Sequence, residues 1–326
     1  MFAALALLVL SATPEVAVLS SLGSEAELRF QPLGTAQLSE PVARFTHGEG
    51  SSVLGALLPG SRVVLASATM RASGDLSFAN ALIRLEPGRA PRLLAEGLAY
   101  GSRALVTAEG RVFVSRGVAG RQADEARVDA LTIEEIDPTT AKLRTVLAER
   151  GFVLFLAGSV GRELIIYAVG PLGARLLAVH VDSLAVRALL PAMPPLARDF
   201  VVDAPRRRVL FTQVAPGGWA VEEVRLVDGA RQVLAEGPEV TLLPTVLDGR
   251  VLISRGPGRG LEALDGREGL AAHGPGFERV RLERGGLVLG LHEVPGGFPT
   301  PFALERGRAV ELAAPSARLE LAGVVP

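Results

Sequence analysis

A chain of 326 residues, 48% of them hydrophobic, can bury a large core, which excludes a disordered chain. Its formal net charge of −1 supplies no field to hold nucleic acid or an anionic lipid surface. The absence of cysteine excludes disulfides, thiolate metal sites and a cysteine nucleophile.

Met1 to Ala12 is apolar apart from Ser11. The run has the length of a signal-peptide core and is too short to span a bilayer. Residues 1–13 are therefore expected to be an export segment, and 14–326 a single domain that is periplasmic or secreted, in a bacterium. No basic residue precedes the run, and a buried first strand or helix in a cytoplasmic protein is the alternative.

The next elements read as short strands: Glu15–Ser20, Glu25–Gln31 and Ala36–Glu40. Then come six units of four strands, labelled a to d. The first has Ser52–Leu58, Arg62–Ala68, Ala79–Leu85 and Pro91–Glu96. The second has Ala104–Ala108, Arg111–Arg116, Val128–Ile136 and Leu143–Ala148. The third has Val153–Ala157, Glu163–Val169, Ala174–Val181 and Ala185–Leu190. The fourth has Asp199–Asp203, Arg208–Val214, Ala220–Val227 and Arg231–Ala235. The fifth, which is short, has Leu242–Leu247, Arg250–Ser254, Gly260–Leu264 and Gly269–Ala272. The sixth has Arg279–Glu283, Leu287–His292, Thr300–Leu304 and Arg308–Leu312. Ala317–Val324 remains as a lone strand.

The signal for strands a and b is a turn pair between apolar runs. Asp248-Gly249 is the best case, because both residues tolerate positive φ. Glu109-Gly110, Pro59-Gly60, Arg206-Arg207 and Gly285-Gly286 hold the same place. The b strands start roughly 36 to 52 residues apart, the spacing of propeller blades. The lone C-terminal strand and the three N-terminal strands complete one further unit. The expectation is an all-β, seven-bladed propeller closed by this 1+3 splice, which leaves no long sheet edge; six blades is the alternative. Ala123 to Arg150 is also rich in helix formers, so an inserted helix competes with strands there.

The c–d turns Ile136–Leu143 and Val181–Arg187, with the Gly-Arg-Val hairpins, resemble the blades of the TolB, YVTN and quinoprotein-like propeller families. The resemblance covers about residues 14–326 as a repeat type. It implies a fold and a habit of binding on one face, and it implies no reaction.

No motif announces chemistry. The four histidines, His47, His180, His273 and His292, include no pair at helical zinc spacing. A Gly-x-Ser-x-Gly elbow and an Asp-rich calcium loop are missing, and glycine-rich Gly256–Gly260 joins two strands with no helix to hold phosphate. No catalytic residue, metal or cofactor is expected. Lys142 is the sole lysine, and the remaining basic residues are arginines, suited to anion recognition or reflecting nucleotide bias.

Topology places d–a and b–c loops on one rim. His47, Glu49, Tyr100, Arg198 and His273 fall in d–a loops, while Arg116, Arg121, Trp219 and Arg255 fall in b–c loops and His292 near a b-strand end. Aromatic and arginine side chains are the composition of binding hot spots. The long loop Arg116–Arg127 draws most interest. The opposite rim receives mostly tight Gly, Pro and Arg turns. The leading expectation is a noncatalytic scaffold presenting the loop-rich rim to a protein or envelope component. The alternative is a lactonase, glycosidase or lyase at the channel mouth, which needs His47, Glu49, Asp199 and His273 to converge.

Overall fold

The computed structural model describes residues 14–32, 38–49, 53–70, 80–99, 101–119, 128–239, 242–270, 277–282, 288–293, 300–305, 308–311 and 317–325. All regular elements among these residues are strands.

The first sheet holds β1 (Glu15–Leu22), β2 (Glu25–Pro32) and β3 (Ala43–Thr46), with β27 (Arg318–Val325) hydrogen-bonded antiparallel to β1. The second contains two four-strand units. One is β4 (Leu54–Leu57), β5 (Val64–Thr69), β6 (Asn80–Leu85) and β7 (Arg92–Leu98). The other is β8 (Leu105–Val106), β9 (Val112–Ala119), β10 (Val128–Ile136) and β11 (Leu143–Glu149). A single pairing, Leu98 opposite Arg116, joins them. The third sheet is β12 (Val153–Val160), β13 (Glu163–Gly170), β14 (Gly173–His180) and β15 (Val186–Met193). The fourth is β16 (Arg198–Asp203), β17 (Arg208–Ala215), β18 (Gly218–Arg225) and β19 (Arg231–Gly237). The fifth is β20 (Leu243–Leu247), β21 (Arg250–Ser254) and β22 (Leu261–Ala263), with a bridge from Leu261 to Leu270 where a fourth strand was expected. The sixth is β23 (Phe277–Leu282), β24 (Val288–Glu293), β25 (Thr300–Glu305) and β26 (Arg308–Glu311).

Each four-strand unit lies against the next in chain order. β4 touches β27 and β8, β12 touches β10 and β16, β20 touches β16 and β23, and β25 touches β27. The core fills the gaps between facing sheets. Leu19 and Leu28 meet Ile83 and Leu85; Phe113 and Ile133 meet Leu154 and Ile166; Tyr167 and Leu176 meet Val209 and Phe211. A strand between two such layers is buried on both faces. β5 is therefore buried at all six positions, Ser67 and Thr69 included, and shows no in–out alternation.

Turn chemistry sets the register. At the β20–β21 hairpin, Asp248 (φ 49°) and Gly249 (φ 72°) both take the left-handed conformation that a two-residue turn requires. In the β10–β11 turn, Asp137 Oδ1 accepts N–H bonds from Thr139 (2.7 Å) and Thr140 (3.0 Å), and Ala141 N donates to Asp137 O at 2.8 Å. The β14–β15 turn repeats the closure, with Leu184 N donating to His180 O at 2.8 Å.

Two expectations need correction. The third strand of the N-terminal unit is Ala43–Thr46 and not Ala36–Glu40. Ala43 to Thr46 pairs with β2, its Ala43 and Phe45 in the core and its Arg44 and Thr46 facing water. Leu38 to Glu40 is held by side chains instead. Leu38 packs beside Val16 and Val18, Ser39 N donates to Gln31 Oε1 (2.8 Å), and Arg29 Nε donates to Ser39 O (2.7 Å). Ala36 and Gln37 lie outside the described residues. The helical alternative is replaced by β10 and β11 from Val128 onward, where Leu131 and Ile133 pack against Leu154 and Val179; residues 123–127 lie outside the described residues.

Arginines stitch the unit of β4–β7 to that of β8–β11, and so on in turn as far as the fifth sheet. Arg84 donates to Pro138 O (2.9 Å), Arg111 to Asp182 (3.0 Å), Arg207 to Glu163 (3.3 Å) and Arg208 to Gly249 O (3.2 Å). Arg111 also grips both oxygens of Glu135 (2.6 and 3.1 Å), and Arg144 adds a bond of 2.6 Å. The hydrogen bonds from Arg111, reinforced by Arg144, hold the Glu135 carboxyl below the usual carboxylate range against the opposing pull of burial. A depressed folded-state value stabilises the fold above the unfolded pKa, and the contribution is lost as pH falls through the folded one. The parent chain is therefore expected to exceed Glu135→Gln in urea midpoint at pH 7. The gap should close below about pH 4.3, where the unfolded glutamate takes up its proton. A gap that is constant from pH 7 to pH 3 contradicts this.

Candidate functional site

The site is assembled around Trp219, the second residue of β18. The residue before it is glycine by necessity. A Cβ on Gly218 would lie 2.6 Å from Gly237 O and 2.7 Å from Pro238 Cα, so only glycine lets β18 start this close to the end of β19. Trp219 is thereby set opposite Gly237. Its ring packs under the Arg198 guanidinium, whose Cζ is 4.1 Å from the ring centroid, a cation–π geometry.

Arg198 is aimed by an irregularity in β16. Asp199 takes φ 53°, and the register with β17 shifts between Arg198 and Val201. A bulge of this kind re-directs a side chain at a sheet end, and aspartate is among the few residues that tolerate such a φ. Asp199 Oδ2 then lies 3.3 Å from Arg198 Nε. The segment leading into β16 is fastened from below: Tyr167 Oη accepts from Ala197 N (3.1 Å) and donates to Pro194 O (3.3 Å). Burial raises the Tyr167 phenol above its ordinary value.

Arg255 follows β21 and reaches back to the same end. It donates through Nε to Glu262 (2.7 Å), and its Nη1 lies 3.9 Å from Glu239, which also faces Arg259 at 3.8 Å. Arg198, Trp219 and Arg255 therefore occupy the neighbouring ends of β16, β18 and β21, with Gly237 and Glu239 between them.

The remaining expected residues do not join them. His47 is buried at the end of β3, its ring 6.1 Å from Phe45 and its Nδ1 2.8 Å from Gly48 O. Glu49 is exposed beyond it. Arg116 is not a loop residue. It lies within β9, where it donates to Glu134 (2.6 Å) and to Glu96 O (2.8 Å), because the strand runs on to Ala119. His292 lies in β24 opposite Glu278 and Thr300. Tyr100, Arg121 and His273, with most of the Arg116–Arg127 loop, fall outside the described residues. No group of three His, Asp or Glu side chains able to hold a metal gathers among the described residues.

Two cavities were not anticipated. One of about 630 Å³ lies on the opposite rim, lined by Thr107, Glu109, Arg111, Phe113, Arg162 and Asp182 among others. Its arginines are already committed, Arg111 to Glu135 and Asp182, and Arg162 to Asp182 (2.9 Å). The other, of about 420 Å³, lies beside the β13–β14 turn and is mostly apolar. The sequence carried a signal for it: Gly170-Pro171-Leu172-Gly173 places a leucine at a turn tip where a polar residue is the norm, and Leu172 is fully exposed.

No protein-family profile matches the chain, and no curated protein matches it in sequence. Solved structures do. TolB from Acinetobacter baumannii is similar with a TM-score of 0.50 at 9% identity, over 95% of this chain and 66% of that one. A prolyl endopeptidase structure, described for inter-domain dynamics in catalysis and specificity, gives 0.63 at 14% identity, over 95% of this chain and 50% of that one. The β-propeller domain of the Trilobed protease from Pyrococcus furiosus, described as having an open velcro topology, gives 0.53 at 14% identity, over 82% and 83%. The chain thus spans half the length of the prolyl endopeptidase and just under two thirds of TolB. The likeness concerns fold: this is an all-β chain with a β-propeller fold.

Proposed function

We propose that residues 14–326 form one seven-bladed ring, closed by β27 completing the N-terminal unit, that acts outside the cytoplasm as a noncatalytic scaffold. The order in which the units touch and the pairing of β27 with β1 support the ring. The functional reading rests on one observation above all: Arg198 stacked on Trp219, with Arg255 alongside, at the strand ends of the loop-rich rim. Tryptophan and arginine at a partly desolvated centre are what dominate protein–protein binding energy. The partner is a protein or cell-envelope component, and a net charge of −1 argues against nucleic acid. Residues 1–13 serve as the export segment in this reading. No helix among the described residues is long and apolar enough to cross a membrane.

The enzyme alternative draws on the names of two structural relatives, the prolyl endopeptidase and the Trilobed protease. It ranks second because Asp199 faces Arg198 and His47 lies buried beside Phe45, in a different sheet.

The test is affinity capture from an envelope extract, with residues 14–326 as bait beside a Trp219→Ala/Arg255→Ala double variant. Both baits are checked by circular dichroism. A partner held by the parent and reduced at least tenfold by the variant, as loss of about 1.4 kcal/mol or more at a hot spot implies, supports the rim. Equal capture by both baits moves the interface elsewhere.

A further inference from the structure

The 420 Å³ groove lies between the β11–β12 connection, the β13–β14 turn and the end of β15. Its walls are Phe152, Pro171, Leu172, Pro191 and Met193, and two arginines stand at its edge. Arg175 stacks on the floor, its Cζ 4.2 Å from the Phe152 ring centroid. Its Nε and Nη2 are out of contact with water and have no hydrogen-bond acceptor. Glu149 Oε2 lies 3.5 Å from Nη2, close enough for attraction but not aligned for a bond. Buried guanidinium N–H groups without acceptors are costly to the isolated protein and favour any ligand that supplies an acceptor. Arg150, at the lip, is exposed and makes no ion pair with a described residue. Counting Glu149, the groove mouth carries an excess of one positive charge.

The spacing of these features selects the ligand. Because Arg175 lies directly on the Phe152 ring, cation and apolar floor are one site. A ligand must carry its carboxylate and its apolar group within a single residue. The volume suits a few residues, within the range of pockets that are mainly apolar with a few placed polar groups. We propose that this groove binds the C-terminal residue of a partner protein, a hydrophobic side chain seated on Phe152 and Met193 and its α-carboxylate drawn to Arg175 and Arg150. The guanidinium of Arg175 turns from Glu149 to receive it. Pro191 in β15 removes a backbone donor there, so the contact is made through side chains and not by adding a strand. The proposal rests on the scaffold reading and names the partner's chemistry at a second place on the same rim.

The probe is a fluorescein-labelled Gly-Gly-Ala-Leu peptide with a free carboxylate, titrated against residues 14–326 by anisotropy. Its amidated form and an amidated Gly-Asp-Ala-Leu peptide serve as comparisons. The free acid is expected to bind at least tenfold tighter than either, and a Ser-terminated acid to lose most of that binding. Arg150→Gln, at an exposed position that leaves the fold alone, is expected to weaken the acid several-fold and leave the amide unchanged. Arg175→Gln should abolish the acid–amide difference. Equal binding of acid and amide, equal binding of the internal aspartate peptide, or no binding of the free acid at millimolar protein each overturns the assignment. Trp219→Ala should not alter peptide binding. If the peptide fails while the Trp219→Ala/Arg255→Ala double variant still reduces partner capture at least tenfold, the groove assignment falls and the rim reading stands.

Discussion

A chain ending at Ser316 should fail to reach the native state, since it lacks β27. That strand is hydrogen-bonded along the length of β1, and without it β1 becomes a bare edge of mostly buried residues. Leu319, Leu321 and Val325 are nearly inaccessible to water, packed against Val16 and Val18 on one side and the β4–β5 layer on the other. At about 1.5–3 kcal/mol for each such side chain, their loss amounts to roughly 5–9 kcal/mol, comparable to the whole stability of a typical domain at about 5–15 kcal/mol. Glu320 adds a polar tie: it pairs with Arg103 from the segment before β8 and accepts from Gly55 N at 3.4 Å. The truncated chain is expected to lose its cooperative urea transition and to elute as aggregate, and a peptide spanning 317–326 should restore part of the signal. A monomeric truncated chain with an unchanged urea midpoint would refute this account.

Phe211→Ala is expected to cost about 3–5 kcal/mol, the range for emptying a fully buried phenylalanine site. Phe211 ends a row of rings that ties the fourth sheet to the third. It lies 5.4 Å from Phe200, which lies 5.0 Å from Tyr167, which lies 6.0 Å from Phe155. The cavity cannot collapse easily, because Phe200 belongs to the same strand as Arg198 and Tyr167 holds Pro194 and Ala197 in place. The urea midpoint should fall with little change in slope, and Phe211→Leu should lie between the two. Trp219 fluorescence is the second readout: Phe200 relaxing toward the void carries Arg198 with it, so the emission of Trp219 should shift before global unfolding. A variant with parental midpoint would show that the ring row contributes little.

Most strands were legible because their signals are local. Period, turn residues and β-branched runs are all read within a few positions, as in Leu247–Ser254, and no distant contact is needed to interpret them. Ala43–Thr46 was missed for the same reason inverted: four residues are too few for a pattern, and only the pocket between Ala17, Leu28 and Val64 makes Ala43 and Phe45 core. Of the expected rim, Arg198, Trp219 and Arg255 come together. Arg116 does not, since nothing local reveals that Glu134 on the neighbouring strand will hold it.

By itself, then, the sequence determined the all-β class, the repeat and the turns that space its strands, because backbone preferences and side-chain alternation act between neighbours in the chain. The tertiary structure alone decided which arginines are spent on joining one unit to the next, such as Arg84, Arg111 and Arg208, and which are left facing a groove, such as Arg150. It also decided that Phe152, Leu172 and Met193, from three separate segments, would share one surface. Those outcomes depend on how the faces of different sheets meet, a many-body packing result that one-dimensional periodicity does not contain.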